Sequence, residues 1–198
     1  MNGMTDVHDP GHFSQQTVLR DGSTVLIRAI RPDDTGKVEA SFHRLDPQSI
    51  YTRFFSYRKE LSADELSRLG DADFVHAVVL VASVGTGADE VLVGGASYSV
   101  RAASNGKLTA ELGFTIEADY QGRGLGSHLL GLLVEMARSQ GIARFEADVL
   151  ASNAPMLSVF QHCGLPMTRA HDGVVVHVEL SLLDPPRDAG ATGPKGGA

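Results

Sequence analysis

Three glycines in the second half of the chain have the spacing of an anion-binding turn. Gly122, Gly124 and Gly126 follow a strand-like segment at 108–116 and lead into residues whose apolar side chains recur at intervals of three and four, the pattern of one helix face. In this order of strand, turn and helix, the unpaired amide groups of the helix start point towards the turn, and the helix dipole favours an anion there. We therefore expect the turn to bind a phosphate or pyrophosphate.

Two other phosphate-binding motifs do not match this turn. A dinucleotide-binding turn requires Gly-x-Gly-x-x-Gly, usually after the first strand of its unit, with an acidic residue about 20 positions further on. A P-loop requires Gly-Lys-Ser/Thr at its end, whereas residues 121–126 read QGRGLG. The remaining alternatives are a flexible turn without a ligand and a third kind of nucleotide-binding loop.

The sequence QGRGLG resembles the Gln/Arg-x-x-Gly-x-Gly/Ala signature of the GNAT family of N-acetyltransferases, in which this loop holds the pyrophosphate of acetyl-CoA. The resemblance extends over about residues 17–183 and implies an α+β fold. In this fold a twisted, mixed and mostly antiparallel sheet of six to seven strands is flanked by helices and splayed between the central strand and the next. The residues that it implies for acetyl-CoA binding are Phe114, Thr115, Ile116, Gln121, Gly122, Arg123, Gly124, Leu125, Gly126, Ser127 and Asn153.

The resemblance also implies a general base on the central strand. A Glu at the position of Glu111 faces the cleft near the thioester in bacterial protein-lysine acetyltransferases, and strand alternation puts Glu111, Gly113 and Thr115 on one face. A base is needed because a lysine ammonium, with a pKa of about 10.4, must lose a proton before it attacks the thioester. The main-chain amide of Ile116 is a candidate donor to the oxyanion that follows. A Glu on a solvated strand face is the alternative, and Glu117 is a second candidate base.

A second informative stretch, residues 45–56, resembles the acetyltransferase domain of bacterial protein-lysine acetyltransferases. It contains three of the twelve aromatic residues. We expect Phe54 and Phe55 to pack in the core, and Tyr51 and Arg53 to line a substrate cleft. The resemblance implies an acetyl-CoA-dependent N-acetyltransferase whose acceptor is a primary amine on a protein partner, a lysine side chain of, for example, an acyl-CoA synthetase.

One position departs from the family pattern and keeps other functions open. Many members carry a Tyr, as general acid for the leaving thiolate, at the position of Phe160, and Phe has no proton to give. The alternatives are an acetyltransferase of a small amine or antibiotic, and an acyl-CoA-binding sensor without turnover.

Composition limits the remaining classes. The 198-residue chain has 17 basic and 24 acidic residues, a formal charge of −7 and a single cysteine, Cys163. The acidic balance argues against nucleic-acid binding, the lone cysteine excludes an internal disulfide, and no apolar run is long enough to cross a membrane. The histidines lack metal-ligand spacing, so we expect no metal, and we expect a cytoplasmic location. The oligomeric state is left open.

Local signals divide the chain into a flexible segment at 1–16, the acetyltransferase domain at 17–183 and a disordered, Pro- and Gly-rich tail at 184–198. Asp21-Gly22 predicts a hairpin turn, Asp46-Pro47 predicts a helix start, and Ser62 with Glu65 predicts a capping box. Antiparallel strands are expected at 74–84, 91–101 and 108–116, and a further strand at 145–150. Ser152 to Met156 predicts the start of the last helix.

Overall fold

The computed structural model describes residues 6–102 and 107–183 and shows one mixed sheet with helices on both faces. The α+β class is confirmed. The strands are β1 (Ser14–Val18), β2 (Thr24–Ala29), β3 (Ala77–Val84), β4 (Val91–Ala102), β5 (Leu108–Ile116), β6 (Ile142–Leu150), β7 (Met167–Asp172) and β8 (Val175–Ser181). The helices are α1 (Thr35–Arg44), α2 (Pro47–Phe54), α3 (Ala63–Gly70), α4 (Leu125–Ser139) and α5 (Ala154–Gln161).

The sheet has the strand order β1-β2-β3-β4-β5-β6-β8-β7 and is antiparallel except between β5 and β6. It has eight strands in the described ranges, rather than six or seven, because the hairpins at both ends of the chain join it. The parallel pair is short: 108–111 of β5 match 142–146 of β6, and beyond Glu111 and Glu146 the two strands part. The predicted splay next to the central strand is therefore confirmed.

Strand β3 shows how the two faces of the sheet are covered. Its residues 77–84 are almost continuously apolar, as expected of a strand buried on both sides. Val78 and Leu80 join the main core, which includes the leucines of α4. Val79 and Val81 join a smaller cluster on the other face, against which Val38 of α1 and Leu69 of α3 pack. Thus α4 and the pair α1 and α3 lie on opposite faces.

The ordered chain begins earlier than the sequence predicted. Residues up to 16 were expected to be flexible, but a short 3-10 turn spans Pro10–His12 and β1 begins at Ser14. The reason is Phe13, which is only 2% exposed in the main core, and whose carbonyl accepts a 2.9 Å hydrogen bond from the Ala29 amide of β2. The tail predicted at 184–198 lies outside the described residues.

The prediction that Phe55 packs in the core is wrong. Phe55 follows the last residue of α2 with a φ of 56°, the left-handed conformation that ends many helices and that Gly adopts more easily. This turn leaves its ring 38% exposed. Phe54 is partly buried, and its ring lies edge-on to that of Phe42 with centroids 5.9 Å apart.

A buried charge network fastens β2 to the start of α1 and to β4. Arg28 is 1% exposed and donates to both carboxylate oxygens of Asp34, at 2.6 and 2.9 Å, and to Glu90 at 2.9 Å. Ser83 and Lys37 also donate to Glu90. The hydrogen bond from Arg28, with those from Lys37 and Ser83, lowers the pKa of Glu90 to about 2. The carboxylate is therefore charged at neutral pH.

Replacing Glu90 by Gln should destabilise the protein at pH 7 by roughly 3 kcal/mol, because a buried guanidinium loses one of its two carboxylate partners. The folded-state pKa lies below the unfolded one, so this contribution is complete above pH 4.5 and is lost as the pH falls towards 2. Denaturant unfolding should show the difference from wild type shrinking across that window. Asp89→Asn, at an exposed neighbour, is the control, and an equal loss at every pH would contradict the assignment.

Candidate active site

Two cavities meet at the middle of β5. The first, of about 640 Å³, lies between the sheet and helices α1 to α3 and reaches Ser97, Gly113 and Thr115. The second, of about 480 Å³, lies where β5 and β6 part and reaches Glu111, Phe114 and Phe160. Residues lining both are Arg53, Phe54, Glu65 and Gly113. We call the first the acceptor cavity and the second the coenzyme slot.

The main chain of β5 offers hydrogen-bonding groups to the coenzyme slot. The Glu117 amide donates to the Val93 carbonyl of β4 at 3.0 Å. Because backbone groups alternate in direction along a strand, the amides of Phe114 and Ile116 point the other way, towards the edge that β6 has left. The Ile116 carbonyl already accepts a 2.9 Å bond from the Gln121 side chain. The Ile116 amide, which the sequence predicts as an oxyanion donor, therefore lies on this unpaired edge.

Glu111 is the last β5 residue that pairs with β6. The pairing of β4 with β5 continues without irregularity from Ala102 and Leu108 to Gly94 and Ile116, so Glu111 keeps the face of Gly113 and Thr115. Its side chain is 45% exposed and forms an ion pair with Arg101 of β4. The carboxylate therefore lies at the coenzyme slot, on the sheet face that carries the acceptor cavity.

Glu117 has a different environment. Its carboxylate accepts a 2.8 Å hydrogen bond from Arg44 and is only 14% exposed. This ion pair fastens the end of α1 to the end of β5. Its local role is to position α1 above the acceptor cavity.

The glycine turn leads directly into α4. Gly122 and Gly124 have φ values of 73° and 92°, the left-handed region that favours glycine, and Gly124 precedes the first helical residue, Leu125. The first amide bonded inside the helix is that of His128, to the Gly124 carbonyl at 3.1 Å. The amides before it lack intrahelical acceptors, as at every helix start. Gly126 is buried and Ser127 is exposed on the first turn.

The polar side chains of the turn have protein partners. Gln121 donates to Ser49 of α2 at 3.2 Å as well as to Ile116, and so connects α2 to the turn. Arg123 pairs with Asp21 of the β1–β2 turn at 2.7 Å, and its guanidinium lies 5.0 Å from the centre of the Tyr120 ring. An anion in the turn therefore competes with Asp21 for Arg123.

Asn153 lines the coenzyme slot and caps α5. Its Oδ1 accepts a 3.2 Å hydrogen bond from the Met156 amide. Its side-chain nitrogen donates to none of the described residues, so it can reach a ligand in the slot while the cap stays intact.

Asn153→Ala should cost about 1 kcal/mol of unfolding free energy, the usual contribution of such a cap, and should weaken acetyl-CoA binding. Asn153→Ser keeps a capping oxygen but lacks the amide, so it should restore stability without restoring affinity. Chemical denaturation and calorimetry measure the two effects separately. An Asn153→Ser protein with wild-type stability and wild-type affinity for acetyl-CoA would show that Asn153 acts only as a helix cap.

Phe160 forms part of the wall of the coenzyme slot. It is 1% exposed, and its ring lies edge-on to Phe114 with centroids 6.0 Å apart. The position carries an apolar ring and no proton donor. A coenzyme thiolate that left past this ring would receive no proton from Phe160.

The structure adds one arginine, Arg20, to the predicted set and keeps another, Arg53. Arg20, in the β1–β2 turn, is exposed and its Nε lies 3.2 Å from the position that a Cβ on Gly124 would occupy. Arg53, predicted to line a cleft, lines both cavities, whereas its predicted companion Tyr51 stacks on Tyr57 at 4.8 Å. No local signal reveals Arg20, because it lies about a hundred positions before the turn that it contacts.

Residues 6–102 and 107–183 contain neither a membrane-spanning helix nor a metal-ligating cluster. No helix there is long and apolar enough to cross a membrane. No group of three or more His, Cys, Asp or Glu residues in the same ranges could hold a metal ion.

The sheet is splayed between β5 and β6, as the resemblance implied. Residues 45–165 match the acetyltransferase (GNAT) family, and the chain belongs to that family. This membership confirms the predicted class, an acyltransferase.

One curated relative and two solved structures are similar to this chain over most of its length. The acetyltransferase Pat of Mycolicibacterium smegmatis is 32% identical over 182 residues, which are 86% of this chain and 53% of that protein. The chain thus spans about half the length of this relative. The GNAT domain of S. lividans PAT is 33% identical with a TM-score of 0.76, covering 85% of this chain and 96% of that one. YncA of Salmonella typhimurium, solved with its cofactor acetyl-CoA, shares the fold at 20% identity and a TM-score of 0.63, covering 82% of this chain and 96% of that one.

Proposed function

We propose that this protein transfers the acetyl group of acetyl-CoA to a lysine side chain of a protein partner, with Glu111 as the general base. The observation that carries the proposal is the position of Glu111, at the point where β5 and β6 part and on the face that carries the acceptor cavity. The similarity to Pat acetyltransferases supports a protein acceptor. Acyl-CoA synthetases are the first candidates.

The coenzyme-binding residues follow from the same geometry. The amides at the start of α4 and Arg20 would contact the pyrophosphate, and Arg123 would join them after releasing Asp21. The main chain of residues 114–116 would bind the pantetheine arm as an added strand does. Asn153 would donate its side-chain amide to the same arm.

The reaction then requires a base for the ammonium, a donor for the oxyanion and a path for the leaving thiolate. The ammonium must lose a proton, which Glu111 takes directly or through one water. The amine nitrogen bonds to the thioester carbon, and the developing oxyanion is met by the Ile116 amide. The nitrogen then loses its second proton to water, the carbon–sulfur bond breaks, and the thiolate leaves along a wall formed by Phe160, which has no proton to give.

The test is to incubate the purified protein with acetyl-CoA and an acyl-CoA synthetase, and to map new acetyl-lysines by mass spectrometry. A panel of small primary amines is run in parallel, with coenzyme release as the readout. We expect one modified lysine on the synthetase and slow turnover of the small amines. Turnover of small amines with no protein modified would assign the small-molecule alternative, and binding without any turnover would assign the sensor.

A cytoplasmic location is part of the proposal and is tested by fractionation.

A further inference from the structure

Arg53 lies on the wall shared by the acceptor cavity and the coenzyme slot. It is the second-last residue of α2 and is partly buried. Its Nη2 and Cζ lie 2.7 and 3.1 Å from the position that a Cβ on Gly113 would occupy. Gly113 therefore leaves the space into which the guanidinium reaches, directly above the middle of β5.

The guanidinium of Arg53 has no hydrogen-bond or ion-pair partner among residues 6–102 and 107–183. Its Cζ lies 5.2 Å from the centroid of the Phe54 ring. Burial lowers the pKa of Arg53, although the nearby Glu111 and Glu65 oppose the shift. None of the Arg53 nitrogen atoms is a fully buried atom without a partner, so its donors reach the two cavities and can meet a ligand there.

The carboxylates around Arg53 already have other partners. Glu65 accepts two 2.7 Å bonds from Arg58, and Glu111 is paired with Arg101. Arg53 thus differs from Arg58 and Arg101, whose guanidinium groups donate to carboxylates of the protein. Its planar fork matches a carboxylate in two parallel hydrogen bonds.

We propose that Arg53 is the receptor for a carboxylate that one of the two substrates carries next to the reacting atoms. The inference rests on the proposed function and specifies its substrates. The carboxylate has two possible sources, because Arg53 faces both cavities. It is the free end of a dicarboxylic acyl group such as succinyl, or an Asp or Glu side chain beside the acceptor lysine.

Either source leaves the chemistry of transfer unchanged. The amine nitrogen forms a bond to the thioester carbon and the carbon–sulfur bond breaks. Of the two protons that the ammonium loses, one leaves through Glu111 to the solvent and the other is balanced by the proton that the free thiol finally carries. The carboxylate takes no part in bond making. Arg53 selects the substrate and orients it over Gly113.

The experiment compares acidic and neutral members of each substrate pair. One arm measures calorimetric affinity and initial rates for succinyl-CoA against acetyl-CoA with a single acceptor. The other uses acetyl-CoA and lysine peptides that differ only in one flanking Glu or Gln. Wild-type protein should favour the acidic member in one arm by about tenfold or more, the scale of one charge-assisted hydrogen bond.

Arg53→Met should bring that preference ratio close to one, whatever its absolute rate, and Arg53→Lys should give an intermediate ratio. Gly113→Ala offers an independent variant, since its Cβ would displace the end of the Arg53 side chain and would also press on the Ser97 hydroxyl at 3.3 Å. Arg169→Met, an exposed arginine on β7, is the control and should keep the wild-type ratio. Thermal unfolding of each variant confirms that it is folded.

Two results would overturn the proposal: a wild-type protein with no acidic preference in either arm, or an Arg53→Met variant that loses acidic and neutral substrates in equal proportion. The donor arm includes binding, which needs no turnover. If the proposed acetyl transfer is wrong, no acetylated product forms. If the Arg53 assignment is wrong, the ratio of acidic to neutral substrate is the same in wild type and in Arg53→Met.

Discussion

Replacing Glu111 by Gln should lower kcat for amine acetylation by roughly 10²–10⁴-fold, the usual scale for a general base. The affinity for acetyl-CoA should barely change, because the carboxylate acts on the amine. Raising the pH towards the amine pKa of about 10.4 should partly rescue the variant, since more of the amine is then neutral. Steady-state rates from pH 7 to 9.5, with calorimetry of acetyl-CoA binding, measure all three effects.

The matched control is Glu146→Gln. Glu146 lies opposite Glu111 on β6 and also bears a partly exposed carboxylate, but it forms an ion pair with Arg144 of the same strand and does not line the coenzyme slot. The kcat of the Glu146→Gln protein should stay within about threefold of wild type, as expected for a partly exposed group that takes no part in the reaction. A Glu111→Gln protein with wild-type kcat at neutral pH would remove Glu111 from the mechanism.

Replacing Gly124 by Val should weaken acetyl-CoA binding by about 100-fold or more, because each charge-assisted hydrogen bond lost at the turn contributes about 1.5–3 kcal/mol. Gly124 has a φ of 92°, which a β-branched residue adopts only with strain. The new side chain would also meet Arg20, whose Nε lies 3.2 Å from the Cβ position. Isothermal calorimetry gives the dissociation constant.

Gly173→Val separates backbone strain from the loss of a binding site. Gly173 has a φ of 59° with open space around its Cβ position, in the turn between β7 and β8. This variant should lose stability for the same backbone reason while keeping wild-type affinity. A folded Gly124→Val protein that binds acetyl-CoA as tightly as wild type would show that the turn does not hold the pyrophosphate.

Local patterns predicted much of the element structure. The central strand begins and ends at the predicted residues, Leu108 and Ile116, because its β-type residues are bounded by clear turn signals. The capping box of Ser62 and Glu65 is present in both directions, and Asp46 caps α2 with Pro47 at its first position. Each of these depends on atoms a few residues apart, so the sequence alone contains the information.

The sequence also indicated the class of the protein, through the resemblance of residues 121–126 to the GNAT signature. A glycine turn between a strand and an apolar-faced helix favours an anion through the helix start itself, whatever the rest of the fold. The alternating pattern of β5 determined the face of Glu111 relative to Gly113 and Thr115, and the regular register with β4 preserves it. These features depend on the period of the backbone and need no knowledge of distant partners.

Only the tertiary structure decided which distant residues complete the site. It placed Arg20 beside Gly124, Arg53 above Gly113, and Arg101 on Glu111, three pairings between different elements. It also turned Phe55 outwards and drew Phe13 into the core. The physical reason is that strand pairing and helix docking join segments far apart in sequence, so the period of a segment specifies its buried face but not the surface that covers it.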